Sequence, residues 1–120
     1  MSQKAFEQAM RIFELTKRFP KEEQYSLTDQ LRRASRSVCT NVGESWRKRR
    51  YPAHVVSKLS DADVEVTETM IWLDFALHCR YLDAPVHASL YAEYEQIGKM
   101  LGSTIAAPEK FCYNERRTAS

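Results

Sequence analysis

The feature that most constrains the fold is a long run of regularly spaced apolar residues in the middle of the chain. Its members recur at intervals of three or four residues: Val55, Leu59, Ala62, Val66, Met70, Leu73 and Leu77. Such spacing places them along one side of an α-helix. Pro52 suits the first turn, because its missing N–H has no partner there in any helix. The sequence therefore predicts a long helix that begins near Pro52 and packs against other helices.

Three more helices are predicted around this one. The first covers residues 3–18, where Ala5, Ala9 and Ile12 form an apolar stripe that Phe6, Met10 and Phe13 broaden. The second begins at Leu27 and ends between Gly43 and Arg50, and the fourth runs from the Asp83 cap to Pro108. Few glycines and prolines favour long helices over strands joined by frequent turns. We expect an all-α, four-helix bundle over residues 1–108, followed by a loosely docked or disordered tail over residues 109–120.

The predicted third helix carries a second apolar side. Its members lie opposite the long seam or, for tryptophan, between the two sides: Val64, Ile71, Trp72 and Phe75. A helix on the outside of a monomeric bundle should be polar there. No helix of a four-helix bundle is surrounded on every side, so this pattern indicates contact with another subunit. We expect the chain to form a homo-oligomer through these residues.

The bulk composition narrows the classes of function. With 18 Lys and Arg against 16 Asp and Glu, the net charge is only +2, so any contact with nucleic acid must be local. The three cysteines form no CxxC pair and are odd in number, which favours a reducing compartment and a cytoplasmic location. The first twenty residues lack an apolar run of signal-peptide length, and no segment is long and apolar enough to span a membrane. We therefore expect neither secretion nor a membrane partner.

Three short motifs support a resemblance to a known family. They are FP at Phe19-Pro20, QLRRASRSV from Gln30 to Val38, and NVGES from Asn41 to Ser45. With four helices in this order, the chain resembles a bacterial four-helix-bundle family. That family includes proteins encoded in intervening sequences of large-subunit ribosomal RNA genes, often called S23 ribosomal protein, and is related to accessory proteins of diversity-generating retroelements. Val42-Gly43 stands where the family usually has Ile-Ala, and Ser45 where it usually has glycine.

The resemblance carries expectations of its own. It implies an antiparallel up-and-down bundle that assembles into a ring, expected to be a homopentamer, with a largely unassigned biochemical role. For the retroelement relatives it also implies partnership with nucleic acid and a reverse transcriptase, which this sequence alone leaves open.

The predicted second helix holds a polar stripe beside its apolar one: Gln30, Arg33, Ser37, Asn41 and Glu44. Arg33 and Glu44 lie about 16 Å apart along a helix and cannot pair within it. The stripe suits a buried polar network that fixes helix register or subunit contacts, because an unpaired buried charge is costly. A small-ligand or enzymatic pocket using Arg33, Asn41 and Glu44, or a solvated face, are the alternatives.

A basic run follows that stripe, at the corner between the second and third helices. Arg47, Lys48, Arg49 and Arg50 are flanked by Trp46 and Tyr51. Cations can contact phosphates while aromatic rings stack on exposed bases, so this pattern suits RNA or DNA. The other reading is a solvated helix end near the negative end of the helix dipole.

Catalytic and metal chemistry have little support. His78 and Cys79 are adjacent but point to different helix faces, and His54 and His87 have no cysteine or carboxylate at a recognisable ligand spacing. No Glu-x-x-His motif accompanies the acidic residues of the third helix. Cys39 has no recognisable base and suits a small core residue. We therefore expect no enzyme activity, no cofactor and no metal, and we predict an oligomeric scaffold or adapter.

Overall fold

The computed structural model of the protein describes residues 1–112, and those residues form four α-helices. They are α1 (Ser2–Thr16), α2 (Leu27–Arg47), α3 (Pro52–His78) and α4 (Ala84–Ala106). Single turns of 3₁₀ helix follow α1 at Lys21–Glu23 and α4 at Pro108–Lys110. No strand occurs within this part of the chain. The prediction of an all-α, four-helix fold is confirmed.

The helices pack in the order in which they occur along the chain. α2 lies between α1 and α3, while α4 contacts α3 extensively and α1 less so. Short connections between successive helices make each neighbouring pair antiparallel. The molecule is elongated, with extents of 55 × 24 × 19 Å.

A single apolar stripe from each helix builds the core. The larger side chains that it buries fully are Ile12, Leu31, Val38, Val55, Leu59, Leu73, Leu90, Tyr94, Ile97 and Leu101. Burying each such aliphatic side chain contributes roughly 1.5–3 kcal/mol. The seam of α3 that the sequence predicts accordingly faces the core, although Met70 and Leu77 are only half-buried at its edge.

The helix ends follow from local chemistry. Phe19 is buried and packs against Tyr81 with ring centroids 5.3 Å apart, and Pro20 then directs the chain away from α1. Asp83 caps α4 by accepting a hydrogen bond of 2.9 Å from the Val86 backbone N–H. Ser26 precedes α2, but its hydroxyl donates to Glu23 at 2.6 Å and makes no cap bond.

The outer face of α1 differs from the expectation. Ala5, Ala9 and Ile12 are buried as predicted, whereas Phe6 is 62% exposed and Met10 is 45% exposed. The interior of the bundle accommodates one narrow stripe from each helix. Phe6 and Met10 therefore lie at the surface instead of broadening the core.

The predicted tail begins within the described residues. Pro108–Lys110 form the final turn, and the Phe111 ring meets the Trp46 ring edge-on at 5.4 Å. The remainder of the predicted tail, residues 113–120, lies outside the described residues. None of the helices in residues 1–112 is long and apolar enough to cross a membrane.

Candidate functional site

The basic corner, Trp46 to Tyr51, follows the C-terminal end of α2. Arg47 is the last helical residue, and the Lys48 backbone N–H still donates to the Glu44 carbonyl at 3.1 Å. Arg47, Lys48 and Arg50 are exposed, while Arg49 is half-buried. The carbonyl end of a helix carries partial negative charge, which stabilises cations in this position.

Two aromatic rings accompany these cations. Trp46 is 52% exposed and Tyr51 is 55% exposed. The Arg49 guanidinium lies 4.0 Å from the centre of the Trp46 ring and donates to the Trp46 carbonyl at 2.9 Å. The structure therefore brings together the residues that the sequence singled out here, with one cation already stacked on an aromatic ring.

A groove of about 430 Å³ lies beside Trp46. Met1, Ser2, Val42, Gly43, Trp46 and Phe111 line it. The contribution of Phe111 was not foreseen, because an isolated apolar patch in a polar tail gives no periodic signal. Gly43 leaves this wall open, since a Cβ atom added there would meet nothing within 4 Å.

The polar stripe of α2 lies at the surface of the single chain. Gln30, Arg33 and Glu44 are exposed, and Ser37 and Asn41 are half-buried. A buried network is therefore absent from the described part of one chain, because α2 turns this side towards its open groove with α3. The stripe divides into separate local contacts.

Each of those contacts has its own partner. Arg33 lies 3.8 Å from Asp29 on the same helix, and Asn41 donates to the Ser37 carbonyl at 3.0 Å. Glu44 instead forms a 2.6 Å ion pair with Lys58 of α3. This pair lowers the pKa of Glu44 and raises the pKa of Lys58, because the hydrogen bond between them favours both charged forms.

An acidic cluster faces the same groove from α3. Gln30, Arg33, Ala34, Ser37, Glu65 and Glu68 line a space of about 270 Å³. Partial burial raises the pKa of Glu65, and its hydrogen bond with Glu68 and the nearby charges of Glu68 and Asp61 raise it further. Like charges crowded in this way favour the protonated form.

The predicted assembly surface of α3 is largely open. Val64, Ile71 and Phe75 are exposed, and Trp72 is half-buried with its ring 5.7 Å from that of Phe75. A groove of about 420 Å³ continues from Trp72 and Phe75 towards Tyr25 and Leu27. Tyr25 was not foreseen, because it lies in the turn between helices rather than in a periodic segment.

The described residues hold no group of three or more His, Cys, Asp or Glu side chains arranged to bind a metal ion. Burial raises the pKa of the Cys39 thiol, which disfavours the nucleophilic thiolate. His87 contacts Asp74 at 2.8 Å and stacks on Tyr91, joining α3 to α4.

The fold and its surfaces define a four-helix-bundle protein with a basic corner and an open apolar helix face. More particularly, the chain belongs to the 23S rRNA-intervening sequence protein family, whose model matches residues 1–103. It is also similar to a crystal structure of a protein with unknown function from the S23 ribosomal protein family of Bacteroides thetaiotaomicron. The TM-score is 0.80 at 27% identity, covering 88% of this chain and 95% of that one. A search of curated proteins finds no match.

Proposed function

We propose that this protein is a non-enzymatic, oligomeric scaffold that contacts RNA or DNA through its basic corner. The observation that carries the nucleic-acid part is the placement of Arg47, Lys48 and Arg50 on the surface between two half-exposed aromatic rings. Cations of this kind bind phosphates, and Trp46 and Tyr51 offer faces on which unpaired bases stack.

The oligomeric part rests on the apolar side of α3. Val64, Ile71 and Phe75 are exposed on a helix whose other side already faces the core. Packing a second copy of the chain against these side chains would remove their apolar surface from water. The family resemblance adds the expectation of a ring of five, in which the corners of all copies would combine their charge.

A salt titration of RNA binding tests the nucleic-acid part. If all four cations release counterions, the slope of log K against log salt should approach about −2.8 per copy on single strands, a loss of about 50-fold between 50 and 200 mM salt. Replacing Arg47, Lys48, Arg49 and Arg50 with glutamine should abolish that slope. Fluorescence anisotropy with single-stranded and duplex oligonucleotides measures both.

A matched control removes the same charge elsewhere. Arg18, Lys21, Arg80 and Lys99 are also exposed, and none lies in the corner. Replacing these four with glutamine should leave most of the affinity intact. Equal losses in the two variants, or no binding by the native chain at low salt, would refute a specific role for the corner.

A small-ligand pocket on the polar stripe is the second candidate. It is favoured by the groove in which Arg33 and Ser37 face Glu65 and Glu68. Its volume of about 270 Å³ lies just below the usual range for ligand sites, roughly 300–1,000 Å³. Asn41 and Glu44 do not line this groove, because Asn41 bonds the Ser37 carbonyl and Glu44 pairs with Lys58. The ligand-pocket hypothesis therefore uses only part of the polar stripe, and we favour the scaffold.

A further inference from the structure

A second surface stripe lies on α1, and it mixes apolar and cationic groups. We define the α1 stripe as Phe6, Met10, Phe13, Lys17, Arg32 and Arg36, the last two contributed by α2. Lys17 Nζ lies 4.8 Å from the centre of the Phe13 ring, and the guanidinium carbons of Arg32 and Arg36 lie 4.7 and 5.7 Å from it. Phe6 and Met10 extend the apolar part along α1.

These cations are only partly neutralised. Lys17 forms an ion pair with Glu14 at 3.2 Å, and Arg32 donates to the Thr16 hydroxyl at 2.8 Å. Within residues 1–112, neither Arg32 nor Arg36 has a carboxylate partner. Three cations around one ring repel one another, so the α1 stripe favours an anionic partner that also covers apolar side chains.

The outer side of α3 has the opposite charge. We define the α3 stripe as Asp61, Val64, Glu65, Glu68, Ile71 and Phe75. None of its three carboxylates has an ion-pair partner in the described part of the chain. The nearby cation, Lys58, is held by Glu44. Exposed Val64 lies among these acids, and exposed Ile71 and Phe75 follow them along the helix.

The two stripes also match in position. α1 and α3 are not neighbours in the bundle, and α2 packs against both of them. Ser37 and Arg33 of α2 line one groove with Glu65 and Glu68, so the neighbouring Arg32 and Arg36 lie at the same height along the bundle as those acids. The charges of one stripe can therefore face those of the other between copies whose bundles lie side by side.

We propose that the α1 stripe of one copy docks on the α3 stripe of a second copy, joining cations to acids and apolar residues to apolar residues. This interface rests on the proposed oligomer and names both of its surfaces. Pairing either stripe with itself would bring like charges together, which disfavours that contact. The contact is therefore between different patches, and its repetition closes a ring or continues a chain of copies.

Charge reversal tests the pairing. Lys17→Glu with Arg36→Glu reverses the exposed cations of one stripe, and Asp61→Lys with Glu68→Lys reverses the exposed acids of the other. Arg32 stays unchanged because it holds Thr16. Each double variant should raise the concentration needed for assembly at least about tenfold. Light scattering and native mass spectrometry measure it, with circular dichroism to check folding.

Restoration of charge complementarity is the decisive readout. The variant with all four substitutions should assemble again at the native concentration. A mixture of the two double variants should assemble better than either alone, although copies must then alternate and a ring of five would leave one mismatched junction. Glu95→Lys with Lys99→Glu on α4 is the control and should assemble as the native chain does. A folded four-fold variant that stays at one chain's mass would overturn the docking but not the oligomer. A native mass of 14.0 kDa at all concentrations would overturn the proposed oligomer itself.

Discussion

Replacing Tyr94 with phenylalanine should stabilise the protein. Tyr94 is fully buried in α4, and its hydroxyl has no hydrogen-bond partner in the described chain. A buried hydroxyl without a partner loses its hydrogen bonds to water on folding and regains none. Phenylalanine keeps the ring and removes that penalty.

The size of the effect follows from the burial. Leaving a buried polar group unsatisfied costs about 1–3 kcal/mol, and the oxygen's missing volume offsets part of the gain. We expect a net gain of about 1 kcal/mol, which corresponds to a Tm about 4 °C higher for a chain of this size. Urea unfolding followed by circular dichroism gives the free energy directly.

The pH dependence supplies a second signature. Burial raises the pKa of Tyr94 above its ordinary value of about 10. The unfolded chain therefore ionises first, and stability that is present below pH 10 is lost as the pH rises towards the folded pKa. The contribution of Tyr81 to the stability of the protein is lost over the same pH range, since its hydrogen bond to Glu23 raises its pKa to about 12. The Tyr94→Phe variant has no hydroxyl to ionise at this position, so it should not show the loss of stability that Tyr94 causes. The difference in stability between this variant and the native chain should therefore widen above pH 10.

Tyr91→Phe provides the control, because Tyr91 lies on the same helix but is half-buried. It should change stability by no more than about 0.5 kcal/mol. A loss of about 1 kcal/mol or more in Tyr94→Phe would refute the reasoning, since it would require a stabilising partner for the hydroxyl.

Two further predictions concern the helices that frame the site. Gly43→Ala should raise the free energy of unfolding by about 0.5–1 kcal/mol, because Gly43 lies within α2 and an added Cβ meets nothing within 4 Å. Gly102→Ala in α4 is its match, and a loss of stability at Gly43 alone in thermal unfolding would contradict regular helix there. Asp83→Ala should lower the free energy of unfolding by about 1 kcal/mol. Asp83→Asn should retain most of the native stability, because the amide oxygen of asparagine can accept from the Val86 N–H as the aspartate oxygen does. Equal urea midpoints for these two variants would argue against the cap.

The helices could be predicted from the sequence because their boundaries depend on local chemistry. Pro52, Asp83 and the Phe19-Pro20 pair act within a few residues, and the seam from Val55 to Leu77 repeats often enough to define its helix. The width of the buried stripe depends on neighbouring helices instead. Periodicity therefore could not show that Phe6 and Met10 lie outside the core.

The candidate site divides in the same way. Trp46 to Tyr51 are contiguous, so the corner could be located from the sequence. The pairing of Glu44 with Lys58 and the packing of Phe111 on Trp46 join residues that are far apart in the chain. Neither contact leaves a periodic pattern, and the approach of α3 and of the final turn to α2 decides both.

The two proposals make compatible demands on the bundle. The α1 and α3 stripes lie along its sides, whereas the corner lies at the end of α2, so docking through the stripes leaves Trp46 and Tyr51 accessible. If the copies pack side by side in the same direction, their corners all lie on one rim. Each RNA strand crossing that rim would then meet several sets of four cations, and the salt slope would rise with the number of copies engaged. The charge-reversed variants should therefore lose the steep part of the slope together with assembly, even though their corners are intact.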